Sequence, residues 1–249
     1  MISFKILLEY DGTRYSGWQE QKNARTVMGE MRKAARELFG SEIEMQGAGR
    51  TDAGVHALGQ VMHIRVPSQA RHNPGTIKRR LNDSLPADIA VLAVEQVQRD
   101  FHARHDARSR AYVYQISKRK QAFLKRYVWW VKEDLDLKRM QQAASLLEGR
   151  HDFICFRAAD ASRPDESTIV EVEQAVIETD EDIIQIRIVA SHFLWRMVRR
   201  VIGGLVKVGK GEITIEEFQT LIEGKSDPKL DVAAWTAPAS GLFLDQVRY

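Results

Sequence analysis

Residues 41–66 read SEIEMQGAGRTDAGVHALGQVMHIRV. Residues 41–48 and 59–66 carry strand patterning, and the GRTDAGVHALG stretch between them is bracketed by Gly49, Gly54 and Gly59, which mark a loop. Working outward, residues 2–9 alternate Ile2, Phe4, Ile6 and Leu8 with Ser3, Lys5, Leu7 and Glu9, the period of a strand. Residues 26–39 place Val27, Met31, Ala34, Ala35 and Leu38 on one helical face, with Thr26 as N-cap. Asn73-Pro74 opens a second helix through Ile77 and Leu81, and residues 88–97 form a strand. The order is β-α-β-β-α-β, the split βαβ arrangement.

The remainder repeats this outline. Strands are expected at 110–117, 127–132, 168–177, 183–190 and 242–248. Helices are expected at 137–148, capped by Asp136 and stopped by Gly149, at 192–208, and at 215–223, where Thr214 and Glu217 form a capping box. The chain reads as two α+β halves, 1–105 and 106–249, joined without a Pro/Gly/Ser linker.

The 249 residues carry 37 Lys+Arg against 34 Asp+Glu, a net charge of +3, with 44% hydrophobic residues. This composition excludes global disorder and leaves ample chain for a core. No run approaches ~18 uninterrupted apolar residues, so no membrane span is expected. The start, MISFKILLEYDGT, lacks the apolar core of a signal peptide. One cysteine, Cys155, fits a reducing cytoplasm. The near-neutral total hides an uneven spread. Residues 101–126 hold eight Lys/Arg and one acid, 192–211 hold five and none, and 71–80 add Arg71, Lys78, Arg79 and Arg80, whereas 166–182 hold seven acids and no base. A single charge run is ordinarily a solvated face. Three basic runs, one interleaved with Tyr112, Tyr114, Phe123, Tyr127 and Trp129, favour a polyanion, because aromatic rings stack on bases while Lys and Arg follow phosphates.

Several motifs fail. Residues 204–210, GLVKVGK, match seven positions of a phosphate loop, but Gly211 stands where Ser or Thr is needed, and the run lies along a helix. His102 and His105 have no Cys cluster beside them. No H-E-x-x-H, no Pro-Cys-x-x-Cys and no Gly-x-Ser-x-Gly is present. Arg50 and Asp52 share the Gly-bounded loop, which can present a carboxylate at a cleft or form an ordinary Asx-turn. On the 192–208 helix, Arg196, Arg199, Arg200, Gly203 and Lys207 form one stripe, a solvated face or a ligand surface. Gly203-Gly204 inside that helix costs ~1 kcal/mol per residue relative to alanine, which implies a close approach by a backbone or ligand, or tight packing. The residues alone thus lead to a nucleic-acid-binding α+β protein with an Asp-centred loop.

At GRTDAGVHA (Gly49 to Ala57) the chain resembles the tRNA pseudouridine synthase A family. The likeness extends over nearly the whole chain through EYDGTRYSGWQ (Glu9 to Gln19), FHAR (Phe101 to Arg104), RAYVY (Arg110 to Tyr114), MVRRVIGGLVKVGKG (Met197 to Gly211) and GLFLDQVRY (Gly241 to Tyr249). The resemblance implies an α+β fold whose two similar split-βαβ halves form a largely antiparallel mixed sheet flanked by helices. It implies isomerisation of uridine to pseudouridine in the anticodon stem-loop of tRNA, at positions 38, 39 and 40. It also implies no cofactor and no metal, a cytoplasmic homodimer, and tRNA bound across both subunits. Asp52 matches the family's catalytic aspartate, Arg50 the arginine that helps extrude the target base, Tyr112 the tyrosine that stacks on it, and Arg199 the arginine that pairs with the aspartate. Leu242 matches more loosely an aliphatic residue against the pocket. Arg104 and Arg110, from two of the shared motifs, are expected to contact RNA.

The chemistry accounts for these residue types. Uracil must leave its ribose at N1, rotate and reattach through C5. A carboxylate can add and later leave, as in retaining glycosidases, whether at the ribose C1′ or at the uracil ring. A guanidinium favours the charged form of a neighbouring carboxylate and orients it through a planar fork, which lysine lacks. Flipping a paired base costs roughly a few kcal/mol, which phosphate contacts offset. Two other classes compete: a non-catalytic tRNA-binding module or chaperone, and a hydrolase releasing free uracil, for which no second carboxylate beside Asp52 is evident. One departure stands out. A Thr-x-Arg-x-Ile pattern common in the family is Thr168-Ile169-Val170-Glu171 here, without the arginine.

Overall fold

A computed structural model describes residues 1–67, 73–159 and 167–249. Arg71 of the third basic run and Glu166 of the acidic run lie outside the described residues. The chain is α+β and divides into two compact units, Met1–Arg108 with Phe243–Tyr249, and Ser109–Leu242.

In the first unit β1 (Ile2–Tyr10), β2 (Glu44–Gly47), β3 (His56–Val66) and β4 (Ile89–Val97) are joined by the closing strand β10 (Leu242–Arg248). The order is β4-β1-β3-β10, with β2 also on β3. The pairs are antiparallel except β10 on β3, where Phe243 faces His56 and Leu244 faces Ala57. The inward side chains of β1, Phe4, Ile6 and Leu8, are buried, as the alternation requires. Helix α1 (Val27–Phe39) starts where Thr26 accepts the Gly29 N–H, and it buries Val27, Met28, Met31, Ala34 and Ala35. Helix α2 (Pro74–Ser84) starts at the Asn73 cap, and Ile77 and Leu81 seat it on β4. The expected β-α-β-β-α-β order is present. The last strand, sequence-remote from this unit, adds to its sheet because β3 has an edge open to a parallel partner.

In the second unit the order is β5 (Ser109–Ser117), β9 (Ile183–Ala190), β8 (Ile169–Asp180) and β7 (Gly149–Asp152), all antiparallel. The strand expected over 127–132 shrinks to β6 (Trp129–Trp130), which runs parallel to β5 between the buried Val128 and Val131. Strand β7, GRHD, has no apolar alternation and was not expected. Helices α3 (Leu137–Ser145), α4 (Met197–Gly209) and α5 (Ile215–Ile222) pack on one another, α3 also on β8. The Asp136 cap and the Thr214/Glu217 capping box form as expected.

Helix α4 begins at Met197 instead of 192. Residues 192–196 are diverted: the Trp195 carbonyl accepts the Ala158 N–H at 2.9 Å, and Arg196 turns left-handed at φ 60°. Its glycine pair is explained by packing. A Cβ on Gly203 would lie 1.8 Å from the Trp235 carbonyl oxygen, and one on Gly204 would lie 2.6 Å from the Phe218 ring. Gly203→Ala is therefore expected to destabilise by about 3 kcal/mol, at the upper end for overpacking, despite alanine's better helix propensity. Urea unfolding measures this, and a stability gain would contradict the packing account.

His63, in the middle of β3, is fully buried, and its Nδ1 accepts the Ala103 N–H at 3.1 Å, so the ring is neutral with its proton on Nε2. Burial, then Arg65 and His102, push it down to about 4. An unfolded histidine titrates near 6.5. Between these values the unfolded chain binds the extra proton, so stability rises with pH. This contribution is full above about pH 6.5 and fades toward pH 4. His63→Gln should flatten the fall in melting temperature across that window.

Candidate active site

Asp52 stands in the loop from Ala48 to Val55, between β2 and β3. The Val55 N–H donates to the Asp52 carbonyl at 3.2 Å and closes a tight turn. The loop is held by the segment that follows β1. The Trp18 N–H donates to the Thr51 carbonyl at 3.1 Å, and the Gly54 N–H to the Tyr15 carbonyl at 3.3 Å. Gly12 passes so close that a Cβ there would lie 1.9 Å from the Val55 carbonyl oxygen. Its N–H donates to His56 Nδ1 at 3.1 Å, and the His56 ring stacks on Phe243 at 4.7 Å. This explains why EYDGTRYSGWQ and GRTDAGVH occur together in one chain: the first motif is the bed of the second.

Below the loop lies a second set of contacts. Tyr10 Oη and Thr51 Oγ1 are 2.8 Å apart and buried. Gln60, fully buried, donates from Nε2 to the Gly49 carbonyl at 3.2 Å and accepts the Val61 N–H on its amide oxygen. Burial pushes the Tyr10 phenol up to about 12, so it stays protonated. Against this rigid frame Asp52 is half-buried and Arg50 exposed. Sequence reasoning missed Tyr10, Thr51 and Gln60; the signal was a polar group at an inward position of otherwise apolar strands for Tyr10 on β1 and Gln60 on β3, with Thr51 in the loop itself.

Arg104 is also in the first unit. Its N–H donates to His102 Nδ1 at 3.2 Å, and the neighbouring Ala103 carbonyl accepts the Tyr249 hydroxyl at 2.8 Å, so the FHAR and C-terminal motifs meet. The His102 ring packs at a tilt against His63 and His105, at 4.9 and 4.2 Å, and burial lowers its pKa. Among the described residues no group of three or more His, Cys, Asp or Glu is arranged to hold a metal ion.

The second unit carries the other expected residues. Arg110 and Tyr112 lie two apart on β5 and so share a face. Arg110 Nη1 donates to the Ser191 carbonyl at 2.9 Å. Tyr112 is buried and meets the Phe193 ring edge-on at 5.0 Å, a use for the non-helical 192–196 segment. Arg199 Nε donates to the Ala237 carbonyl at 2.7 Å, and the next carbonyl, of Pro238, accepts the Tyr114 hydroxyl at 2.8 Å. The 237–238 segment thereby links the Arg199 helix to the Tyr112 strand. Burial drives the Tyr114 phenol strongly upward, against the charge of Arg199. Leu242, buried, opens β10 next to Gly241, which packs on the Tyr114 ring.

The expected arginine stripe is divided. Arg199 and Arg200 are half-buried and tied to carbonyls, Arg200 Nη1 to that of Arg157, while Lys207 pairs with Glu212. Burial and Arg196 lower the Arg200 pKa. The basic and acidic runs also touch: Arg119 pairs with Asp182. Beyond that pair, Lys118, Lys120, Lys125 and Arg126 are exposed around Phe123, itself 96% exposed, and Lys120 and Lys132 lie over the Trp130 ring at 6.0 and 5.3 Å. No helix among the described residues is long and apolar enough to cross a membrane.

Comparison with known proteins adds to this geometry. The profile of the tRNA pseudouridine synthase family matches residues 6–106 and again 143–249. These segments contain Asp52, Arg50, Arg104, Arg199 and Leu242 but not Tyr112 or Arg110. Among curated relatives, the tRNA pseudouridine synthase A of Thermosipho melanesiensis is 40% identical over 250 residues, covering 100% of both chains. That of Thermotoga sp. (strain RQ2) is 39% identical over 245 residues, 98% of each chain, and that of Thermoanaerobacter sp. (strain X514) is 39% identical over 251 residues, 100% of each.

Proposed function

Since this chain belongs to the tRNA pseudouridine synthase family, we propose that it converts uridine to pseudouridine in the anticodon stem-loop of tRNA, at positions 38, 39 and 40, with Asp52 as the nucleophile. It is an isomerase of the tRNA pseudouridine synthase class, and full-length likeness to catalytic relatives favours this over a binding module that only chaperones tRNA.

The observation that carries the site assignment is the Asp52 loop, braced from two sides while its carboxylate-bearing residue stays partly open. Pre-set geometry converts binding into rate. In the proposed reaction the Asp52 carboxylate adds to the substrate, at C1′ or at the ring, and the N1–C1′ bond breaks. The uracil turns, C5 bonds to C1′, the carboxylate departs unchanged, the C5 proton is lost and N1 regains one. Tyr112 supplies a flat face for the flipped uracil, Arg199 orients the carboxylate, and Arg50, at the exposed edge of the loop, assists extrusion of the base. Leu242 closes the apolar side, with Arg104 and Arg110 on the RNA. The enzyme works as a homodimer, and its single cysteine suits the cytoplasm.

Incubation with unmodified tRNA followed by position-resolved pseudouridine mapping tests the reading. Signal at positions 38–40 is expected. Signal elsewhere only would overturn the positional assignment, and free uracil would mark a hydrolase.

The exposed basic segment 118–126 is the proposed RNA contact outside the catalytic pocket. Affinity should fall with salt at a log–log slope of roughly −0.7 to −0.9 per phosphate contact. Phe123→Ala should weaken tRNA binding by about 1–3 kcal/mol, the worth of one stacked base, at unchanged turnover. A flat salt response, or unaltered binding by the Phe123 variant, would remove this segment from the RNA interface.

A further inference from the structure

We infer that Tyr10 and Thr51 form a positioning pair for the Asp52 carboxylate: the buried hydroxyl–hydroxyl contact beneath the loop fixes the backbone immediately before the nucleophile. The inference rests on the proposed role of Asp52 and extends it to two residues that touch no substrate.

Three features separate this pair from ordinary core packing. First, it is polar where the surroundings are not. Tyr10 is 4% exposed and Thr51 7%; Tyr10 ends the buried apolar row Phe4, Ile6 and Leu8 of β1 and its ring stacks on the buried Trp18 at 6.0 Å, and a phenylalanine and a valine would fill the same volumes without a hydrogen-bonding requirement. Second, the polar contacts converge on the loop. Tyr10 bonds Thr51, and Gln60 bonds the Gly49 carbonyl, so the two contacts land on either side of Arg50. Third, the main-chain side of Thr51 is separately held, its carbonyl by the Trp18 N–H. Thr51 is therefore fixed at two atoms, leaving Asp52 little torsional freedom. The Tyr10 phenol, kept protonated by burial, persists as a hydrogen-bonding group through any pH at which the enzyme works. A displacement of about 1 Å at a reacting group costs on the order of 10²-fold in rate.

The test uses the full chain and pseudouridine formation on unmodified tRNA. Tyr10→Phe and Thr51→Val should each lower kcat by about 10- to 100-fold with KM unchanged. Thr51→Ser should recover most of the turnover that Thr51→Val loses, and the double variant Tyr10→Phe/Thr51→Val should be little worse than either single one, because both break one contact. Melting temperatures are recorded for all. A kcat equal to wild type in Tyr10→Phe and Thr51→Val, whether or not the melting temperature falls, shows that the pair is only structural and overturns the inference. So does a change confined to KM. If Tyr10→Phe does not fold, the Thr51→Ser and Thr51→Val comparison decides alone. Asp52→Ala, assayed alongside, separates the two levels. Activity retained there removes the nucleophile reading itself, whereas an inactive Asp52→Ala beside fully active Tyr10→Phe removes only the positioning pair.

Discussion

Asp52→Ala is expected to abolish pseudouridine formation, lowering kcat by at least about 10⁴-fold, which corresponds to about 5.5 kcal/mol of transition-state stabilisation. Affinity for unmodified tRNA should stay within about threefold, since phosphate contacts dominate such binding and one carboxylate contributes none of them. The fold should also be retained. The loop is held by the Thr51 carbonyl, the Gly49 carbonyl, the Gly54 N–H and the Thr51 hydroxyl, all independent of the Asp52 side chain. Asp52→Asn is the sharper variant, because it preserves size and loses the nucleophile. Single-turnover kinetics and filter binding measure both quantities. Residual turnover within tenfold of wild type would remove Asp52 from the chemistry, and a collapse of tRNA affinity would recast it as a binding residue.

Arg199→Lys is expected to lower kcat by about 10²-fold, although charge is conserved. Arg199 Nε is engaged by the Ala237 carbonyl at 2.7 Å, and the Ala237 N–H returns a bond to the Arg199 carbonyl at 3.0 Å, so the guanidinium plane is set within its own unit. A guanidinium can keep that anchor and still present its terminal nitrogens to a carboxylate; a lysine has one nitrogen and must choose. Arg199→Ala should be worse, about 10³-fold, in the range for losing a preorganised charge-stabilising donor. Lys207→Ala, on the same helix, removes a surface pair with Glu212 of the kind usually worth about 0–1 kcal/mol, and should leave kcat within twofold. Equal losses at positions 199 and 207 would show that the helix contributes only general positive charge.

Local patterns were legible wherever one physical rule dominated. The β1 alternation, the Thr26, Asn73 and Asp136 caps and the Thr214/Glu217 box all read correctly, because each is settled by bonds within a few residues. The start of α4 did not. Phe193 and Leu194 continue the apolar stripe of the helix, yet the Trp195 carbonyl is taken by Ala158, and Phe193 is used against Tyr112, competitors that no helical period reveals. Strand 127–132 shortened for a similar reason: Val128 and Val131 are buried, but the Tyr127 N–H is taken by the Leu124 carbonyl, and pairing with β5 extends over Trp129 and Trp130 with one further bond from the Val131 N–H to the Ser117 carbonyl. The motifs singled out Asp52, Arg50 and Arg199 as candidates, while the bracing of the Asp52 loop was invisible. Tyr10 and Thr51 stand 41 residues apart, and nothing in their own neighbourhoods marks them, or Gln60, as supports of one loop.

Sequence by itself determined the α+β class, the split βαβ order of the first half, the start of every helix but α4 and, through motifs spread over the chain, the family and its candidate aspartate. These are properties of short windows, where side-chain period, capping and motif identity act locally. Tertiary structure alone decided that β10 returns to the first unit beside β3, that Gly203 exists for the Trp235 carbonyl, and that the Asp52 loop rests on Gly12, Trp18 and a buried Tyr10–Thr51 contact. The reason is that close packing and buried hydrogen bonds are satisfied between residues distant in the chain, and a partner's identity enters the energy only once the chain has brought it within reach.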